Sequence, residues 1–350
     1  MKLKTTAVMV KHCKGVAPFL VLRFFRMSAQ KEGTVMRSKS RANSQSAICV
    51  YMITAAAAAP AFAQQAGTEE RLDSPFSVEL SAGAEYDSNV SVGEIDNNTG
   101  ADDFAAVIDL DLEFEKDVTE NTEISAGYSF SQSLHDQFTN FDIQTHFASA
   151  GVSHDFGAFD AGAAYRYIYS RLGGAGFLQI QQIEPYATRF FGKKLFIRAA
   201  YTYTDKNFKN RIDRDAMVHA GGADVYYFLN GVRTYFVAGY KYENENAVDP
   251  QFDFRAHHIK ARFSQRIRMG KRDAKLKLGW RYESRNYSSI TPSIGAIRDD
   301  NRHRLQAELE VPLTDHFFGL VEYEYSDYSS NLPSADYTQN LAGVRLGARF

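Results

Sequence analysis

Apolar and polar residues alternate with a period of two through most of the chain beyond residue 76, which predicts β-strands with two different faces. In one segment the apolar positions are Leu276, Leu278, Trp280 and Tyr282, and the polar ones are Lys275, Lys277, Arg281 and Glu283. Helical periodicity of useful length is absent from this part of the sequence. Fourteen strands are predicted, at 77–89, 102–115, 122–135, 141–156, 158–171, 176–190, 194–205, 214–229, 232–246, 252–268, 273–287, 301–313, 317–328 and 336–350.

The length of the strands and the order of their connections distinguish a membrane barrel from a soluble sandwich. Most predicted strands have 12 to 17 residues, whereas soluble strands usually have about five or six and a tilted bilayer crossing needs about 9 to 11. Tight turns at 156–157, 192–193, 230–231, 270–271 and 314–315 alternate with longer polar links such as 206–213 and 288–300. Short periplasmic turns and longer outer loops are typical of outer-membrane barrels. The sequence therefore predicts an all-β, 14-stranded antiparallel transmembrane β-barrel with both termini in the periplasm.

Aromatic residues support this fold, because such barrels place aromatic girdles where hydrocarbon meets lipid headgroups. Pairs of tyrosines occupy the apolar phase near the predicted outer ends of three strands: Tyr201 and Tyr203, Tyr240 and Tyr242, and Tyr323 and Tyr325. The last predicted strand ends in Phe350. We interpret this terminal aromatic residue as the signal that the barrel-insertion machinery reads.

Residues 1–63 differ in composition and predict a cleaved export signal. Basic residues after Met36 are followed by an apolar run over 47–59 and by Ala61-Phe62-Ala63, the order of a secretory signal peptide. The start of translation is then at Met27 or Met36, or the basic region is unusually long. We expect residues 64–76 to form a short periplasmic segment and residues 77–350 to form the barrel.

Removal of this leader changes the charge of the protein. The leader holds 10 of the 40 basic and 1 of the 42 acidic side chains, which leaves a mature net charge of −11. Nucleic-acid binding relies on neutralisation of phosphate by basic residues, so we expect no nucleic-acid partner. Both cysteines, Cys13 and Cys49, lie in the leader, and the mature chain can form neither disulfides nor thiolate metal sites.

Local catalytic and metal-binding motifs are missing from the sequence. No G-x-S-x-G, H-E-x-x-H or phosphate-loop pattern occurs. His257 and His258 are adjacent on a strand and should point to opposite faces, and the acidic run from Asp96 lacks the distal glutamate of a calcium loop. We expect no enzymatic activity, no metal and no cofactor.

The polar phase carries charges of both signs that would be costly against lipid and should face the barrel interior. The candidate basic residues are Arg262, Arg266, Lys277 and Arg281, and the candidate acidic residues are Asp109, Asp111, Glu308, Glu310, Glu322 and Glu324. These charges either pair across strands and fill the barrel, or line a wet passage. About 14 strands favour a passage, because eight strands leave room only for side chains and 16 to 18 leave an open channel.

Several short segments resemble a known family. They are Gly83-Ala84-Glu85-Tyr86-Asp87-Ser88-Asn89-Val90, Arg298-Asp299-Asp300, Tyr325 to Tyr328, Ser330-Asn331-Leu332, and Tyr337 with Asn340. Together they resemble the C-terminal barrel of the surface lipoprotein assembly modifiers and are similar to porin-like barrels found with polysaccharide systems. The resemblance implies outer-membrane lipid as surroundings and a lipoprotein or polysaccharide as cargo. Family members carry a periplasmic helical-repeat domain before the barrel, whereas only residues 64–75 precede strand 1, which favours a simpler channel or an accessory barrel. A non-conducting surface barrel is the remaining alternative.

Overall fold

The structure of this chain is a computed structural model that describes residues 74–350. The export signal, both candidate starts and nearly all of the short N-terminal segment lie outside the described residues. Within 74–350, no helix is long and apolar enough to cross a membrane.

Fourteen antiparallel strands close into one barrel, which confirms the predicted architecture. Each strand pairs with its neighbours in the chain, and β1 pairs with β14 from Glu79 opposite Arg349 to Asp87 opposite Leu341. The strands are β1 Phe76–Asp87, β2 Asp103–Asp117, β3 Thr122–His135, β4 Ile143–Asp155, β5 Asp160–Leu172, β6 Ala175–Phe191, β7 Leu195–Phe208, β8 Ala216–Phe228, β9 Thr234–Ala247, β10 Phe254–Met269, β11 Arg272–Thr291, β12 Ala296–Pro312, β13 Phe317–Ser330 and β14 Tyr337–Arg349.

The two faces of the wall have opposite character. Apolar side chains such as Leu278 and Val321 are 44% and 51% exposed, whereas charged side chains of the other phase, such as Lys275 and Glu310, are 5% and 3% exposed. Successive residues of a strand point to opposite sides, so the apolar phase is the outer face and the charged phase is the interior. An exposed apolar band around a closed barrel is what contact with lipid requires.

The barrel has a termini end, where the chain enters β1 and leaves β14, and a loop end opposite to it. At the termini end the connections are short, and Gly157, Gly192, Gly231 and Gly270 adopt the positive φ values that such turns need. The loop-end connections are 88–102, 136–142, 173–174, 209–215, 248–253, 292–295 and 331–336. The predicted alternation of short and long connections therefore fails at two places: 173–174, where β5 and β6 meet in a tight turn, and 292–295, whose four residues are within the length range of the termini-end turns.

The link predicted at 288–300 is wrong, because most of it belongs to two long strands. β11 continues to Thr291 and β12 begins at Ala296, with a register shift between Asn286 and Ile290. From Ser284 onward, polar residues occupy both faces of β11. The alternation of apolar and polar residues ends where the strands extend beyond the lipid, although their backbone hydrogen bonds continue.

Four loop-end connections share one local design. Each contains a single 3-10 turn, at Thr139–Phe141, Ile212–Arg214, Pro250–Phe252 or Pro333–Ala335. The next residue is an aspartate whose Oδ1 accepts a hydrogen bond from the last backbone N–H of the preceding strand. These turn aspartates and their distances are Asp142 at 2.7 Å, Asp215 at 2.6 Å, Asp253 at 2.6 Å and Asp336 at 3.2 Å. The bond fixes where the following strand begins.

Candidate functional site

All ten charged residues nominated from the sequence lie on the interior phase of their strands. Arg262 and Arg266 lie on β10, Lys277 and Arg281 on β11, Glu308 and Glu310 on β12, Glu322 and Glu324 on β13, and Asp109 and Asp111 on β2. Their function in ion passage stays a prediction.

The four nominated glutamates each meet a cation. Their partners are Lys277 for Glu308 at 2.7 Å, Arg304 for Glu324 at 3.1 Å, Arg349 for Glu310 at 3.4 Å, and Arg345 for Glu322. Arg345 also lies 3.3 Å from Asp109. The acidic arc expected from the sequence is therefore interleaved with arginines. Arg304, Arg345 and Arg349 were missed as site residues, although their alternation with apolar neighbours places them on the same interior phase.

The nominated basic residues form a strip along β10 and β11. Arg266 lies opposite Lys275 in the strand register, and Lys260 lies opposite Arg281. Lys260 pairs with Asp224 at 2.9 Å. Among residues 74–350, no carboxylate lies within ion-pair distance of Arg262. Basic side chains also outnumber acidic ones on the interior phase of β10 and β11.

A second ion-pair cluster, absent from the sequence prediction, lies on the interior of β5 to β7. The buried Glu184 carboxylate contacts Arg166 at 3.1 Å and Arg198 at 2.5 Å, and accepts a hydrogen bond from Thr202 at 3.3 Å. Arg198 also stacks over the Tyr186 ring at 3.9 Å. A buried carboxylate with two arginines and a hydroxyl is well satisfied, so this cluster is part of the packed interior and does not offer an open site.

The connection between β1 and β2, residues 88–102, folds inward; we name it loop L1. Its Val90 and Val92 are 1% and 3% exposed and belong to an apolar cluster at the loop end. The other buried members of this cluster are Phe141, Ile143, Phe177, Leu178, Ile180 and Phe208. Interior positions at the loop ends of several strands are thus apolar because L1 packs on them.

One aspartate fixes the tip of L1 to two distant parts of the barrel. The Asp96 carboxylate accepts hydrogen bonds from Arg298 on β12 at 2.7 and 3.0 Å and from Arg214, between β7 and β8, at 2.8 Å. Arg214 also donates to the backbone oxygen of Glu94 at 2.9 Å. Burial raises the pKa of the Asp96 carboxyl, but Arg298 and Arg214 outweigh it and hold this pKa well below its ordinary value.

These contacts place L1 across the mouth of the barrel. L1 starts at β1, and in a ring of fourteen strands the connection between β7 and β8 lies on the opposite side. Nearer β1, Asn98 donates to the Ser334 backbone oxygen at 2.9 Å. The loop end is therefore covered by a segment of the chain itself, attached on several sides.

The two motifs considered for metal binding have other contacts. His257 points outward to Tyr240 at 2.8 Å, whereas His258 points inward, 3.5 Å from Glu243. The acidic run of L1 directs Asp96 to two arginines. Within residues 74–350, no group of three or more His, Cys, Asp or Glu side chains is placed to hold a metal ion.

Comparison with known families agrees with the resemblance seen in the sequence. Residues 121–350 match the family described as surface lipoprotein assembly modifier. The chain belongs to this family. The match begins just before β3, so it covers twelve of the fourteen strands of the barrel but not L1. No curated protein matches the chain.

Solved structures with a similar fold are outer-membrane barrels. OmpT of Vibrio cholerae is 11% identical with a TM-score of 0.47, and the alignment covers 79% of this chain and 98% of that one. An anion-selective porin from Comamonas acidovorans is 9% identical with a TM-score of 0.46, with coverage of 79% and 98%. CdiB from Acinetobacter baumannii is 11% identical with a TM-score of 0.47, with coverage of 82% and 61%. The family match and the closed barrel of this chain, with its exposed apolar outer face, place it in the outer membrane.

Proposed function

We propose that this barrel is a conduit rather than an enzyme, and that it helps surface lipoproteins cross the outer membrane. The termini end then lies in the periplasm, because its turns are short, and L1 lies at the cell surface. In this proposal L1 closes the conduit at rest and leaves the mouth during passage. The barrel-insertion machinery is the partner during assembly, with Phe350 as the residue it reads.

The observation that carries this proposal is the attachment of L1 within an otherwise charged interior. Hydrogen bonds from Arg298 and Arg214 hold the tip, while Val90 and Val92 hold the stem. Such contacts can be exchanged for contacts with a passing chain, whereas backbone pairs of the wall cannot. Family membership supplies the class of cargo.

A porin-like channel for solutes or polysaccharide is the second candidate. It is favoured by the basic strip on β10 and β11, since an excess of one charge in a lumen selects ions. In that case L1 narrows the passage but does not need to move.

A reversible lock on L1 tests the proposal. Residues 64–350 contain no cysteine, so Asn98→Cys with Ser334→Cys introduces one reactive pair where L1 meets the β13–β14 connection. Cells carrying this double variant are treated with a cleavable bismaleimide, and lipoproteins accessible to external protease are identified by mass spectrometry. We expect a subset of lipoproteins to lose surface exposure on cross-linking and to regain it after cleavage.

Each single-cysteine variant, treated in the same way, controls for modification alone. The lipoprotein proposal fails if deletion of the whole chain changes the surface exposure of no lipoprotein. If lipoproteins reach the surface normally in the cross-linked variant, their passage does not require movement of L1. That result would favour the porin-like channel.

A further inference from the structure

The outer face carries a repeated hydrogen bond that neither the sequence prediction nor the proposed function uses. In six hairpins, the strand that runs toward the loop end carries a tyrosine whose side chain forms a hydrogen bond with a polar side chain of the next strand. The pairs are Tyr128 with His146 at 2.8 Å, Tyr165 with Gln181 at 3.1 Å, Tyr201 with His219 at 2.5 Å, Tyr240 with His257 at 2.8 Å, Tyr282 with Asn301 at 2.7 Å, and Tyr323 with Asn340 at 2.7 Å. We name this set the tyrosine belt.

Four of the six pairs of the belt follow from the shared design of the loops. In four hairpins the polar partner is the fourth residue of its strand, three positions after the first strand residue: His146, His219, His257 and Asn340. Each of these strands directly follows a turn aspartate, which sets the starting point. The aspartate therefore fixes the height at which the partner meets its tyrosine.

The belt lies at the border of the lipid-facing band that is nearer the loop end. Tyr240 is 49% exposed, and the outward positions that follow Tyr242 on β9 are Asn244 and Asn246. Toward the termini end the same face continues with Ala238 and Phe236. Amphipathic rings between apolar and polar positions occupy the headgroup region of a bilayer.

The contact with tyrosine involves Nδ1 and leaves Nε2 as the free ring nitrogen. When a tyrosine hydroxyl donates to histidine Nδ1, the neutral ring carries its proton on Nε2. Within residues 74–350, the Nε2 atoms of His146, His219 and His257 make no hydrogen bond. With the tyrosine hydroxyl as the donor, each of these histidines presents an N–H to the surrounding headgroups.

The β9–β10 hairpin differs from the β7–β8 hairpin in the charged residue that lies beside the histidine Nε2. Arg255 is exposed on the same outward face as His257, two residues away, and the facing position on β9 is Asn244. At the β7–β8 hairpin, the residue of β7 that corresponds to Asn244 is Asp205. A donor beside a cation suits an anionic oxygen, whereas a donor beside a carboxylate does not.

We infer that His257 and Arg255 form a binding site for the phosphate of a phosphorylated glycolipid in the leaflet at the loop end. The lipid is an outward neighbour of the barrel, so this site is independent of passage through the interior. Guanidinium and imidazole N–H groups donate to the phosphate oxygens, and Tyr240 holds the histidine ring in the required orientation.

The test compares lipid retention in nanodiscs of phosphatidylcholine containing either diphosphorylated or monophosphorylated lipid A. Native mass spectrometry counts the lipid A molecules that remain bound to the released barrel. We expect the unmodified chain to retain the diphosphorylated form preferentially, and the double variant Arg255→Gln with His257→Asn to lose about tenfold in this preference, equivalent to about 1.4 kcal/mol.

The chain itself provides matched controls. Asn340 occupies the equivalent place opposite Tyr323, so His257→Asn preserves the belt, and heat-modifiable migration verifies folding. His219→Asn makes the same change beside Asp205 and should leave the preference intact. The site is refuted if the double variant retains the preference of the unmodified chain, or if His219→Asn loses as much of it.

Discussion

At the scale of single residues, Asp96 has the largest consequences for the interior. Its backbone adopts a left-handed conformation, with φ of 51°, which aspartate tolerates better than most residues. The carboxylate is buried between two guanidinium groups, and Arg298 is shared with Asp300 at 2.8 Å. Loss of the Asp96 charge would leave Arg214 without its only carboxylate partner among residues 74–350 and would reduce the attachment of the L1 tip.

We therefore predict that Asp96→Asn opens the barrel. Removing one partner of a buried ion pair costs about 3–5 kcal/mol, and this loss falls on L1 docking rather than on the wall. Planar-bilayer recordings should show a higher open probability for Asp96→Asn than for the unmodified chain. Asp102→Asn alters an exposed aspartate of the same loop and should behave as the unmodified chain.

The lowered pKa of Asp96 adds a pH criterion to this prediction. A depressed pKa stabilises the docked loop above the ordinary value of 3.8, and that stabilisation is lost only as the pH falls through the folded value. L1 of the unmodified chain should therefore stay docked from about pH 5 to pH 8. A marked opening at pH 5, or an Asp96→Asn variant that remains closed, would contradict the attachment described for Asp96.

At the scale of elements, the turn aspartates connect the loops to the wall. The Asp215 carboxylate accepts the N–H of Phe208, whereas Asp213 in the same turn is exposed. Asp215→Ala leaves a backbone donor without this acceptor and should lower the stability of the folded barrel by about 1–2 kcal/mol. The temperature at which the detergent-solubilised barrel loses its fast-migrating folded form measures this effect. Asp213→Ala should leave that temperature unchanged, and an equal fall in both variants would refute a specific role for Asp215.

The sequence predicts the strands well because lipid imposes a period of two on every crossing. It does not predict L1, whose partners Arg214 and Arg298 are separated from Asp96 by 118 and 202 residues. The charged phase of each strand is also predictable, but the pairing of Glu322 with Arg345 depends on the register between β13 and β14. Four pairs of the tyrosine belt leave a regular local signal, an aspartate followed four residues later by histidine or asparagine, which a search for internal repeats would have found.

At the scale of the whole molecule, one side of the interior holds glutamates paired with cations, and the other is rich in basic residues. The glutamates of β12 and β13 are neutralised by Lys277 and three arginines, while the strip on β10 and β11 retains positive charge. The mature net charge of −11 therefore does not describe the charge that a passing ion meets. Ion preference depends on which interior carboxylates are paired with cations. The register between neighbouring strands determines this pairing.

The four glutamates of β12 and β13 are the carboxylates through which this balance of charge can be changed. Replacing Glu308, Glu310, Glu322 and Glu324 by Gln removes four negative charges and leaves Lys277, Arg304, Arg345 and Arg349 without these partners, so the interior becomes more positive. Rings of basic side chains favour anions, and we expect the reversal potential under a salt gradient to shift toward the anion value. The recordings are best made with Asp96→Asn present in both variants, so that L1 does not limit the current. Control substitution of the exposed Glu120 by Gln, at the termini end, should leave the potential unchanged. If the quadruple variant conducts with the reversal potential of its parent, these glutamates do not line the path, and the ion pairs of β12 and β13 only hold the wall together.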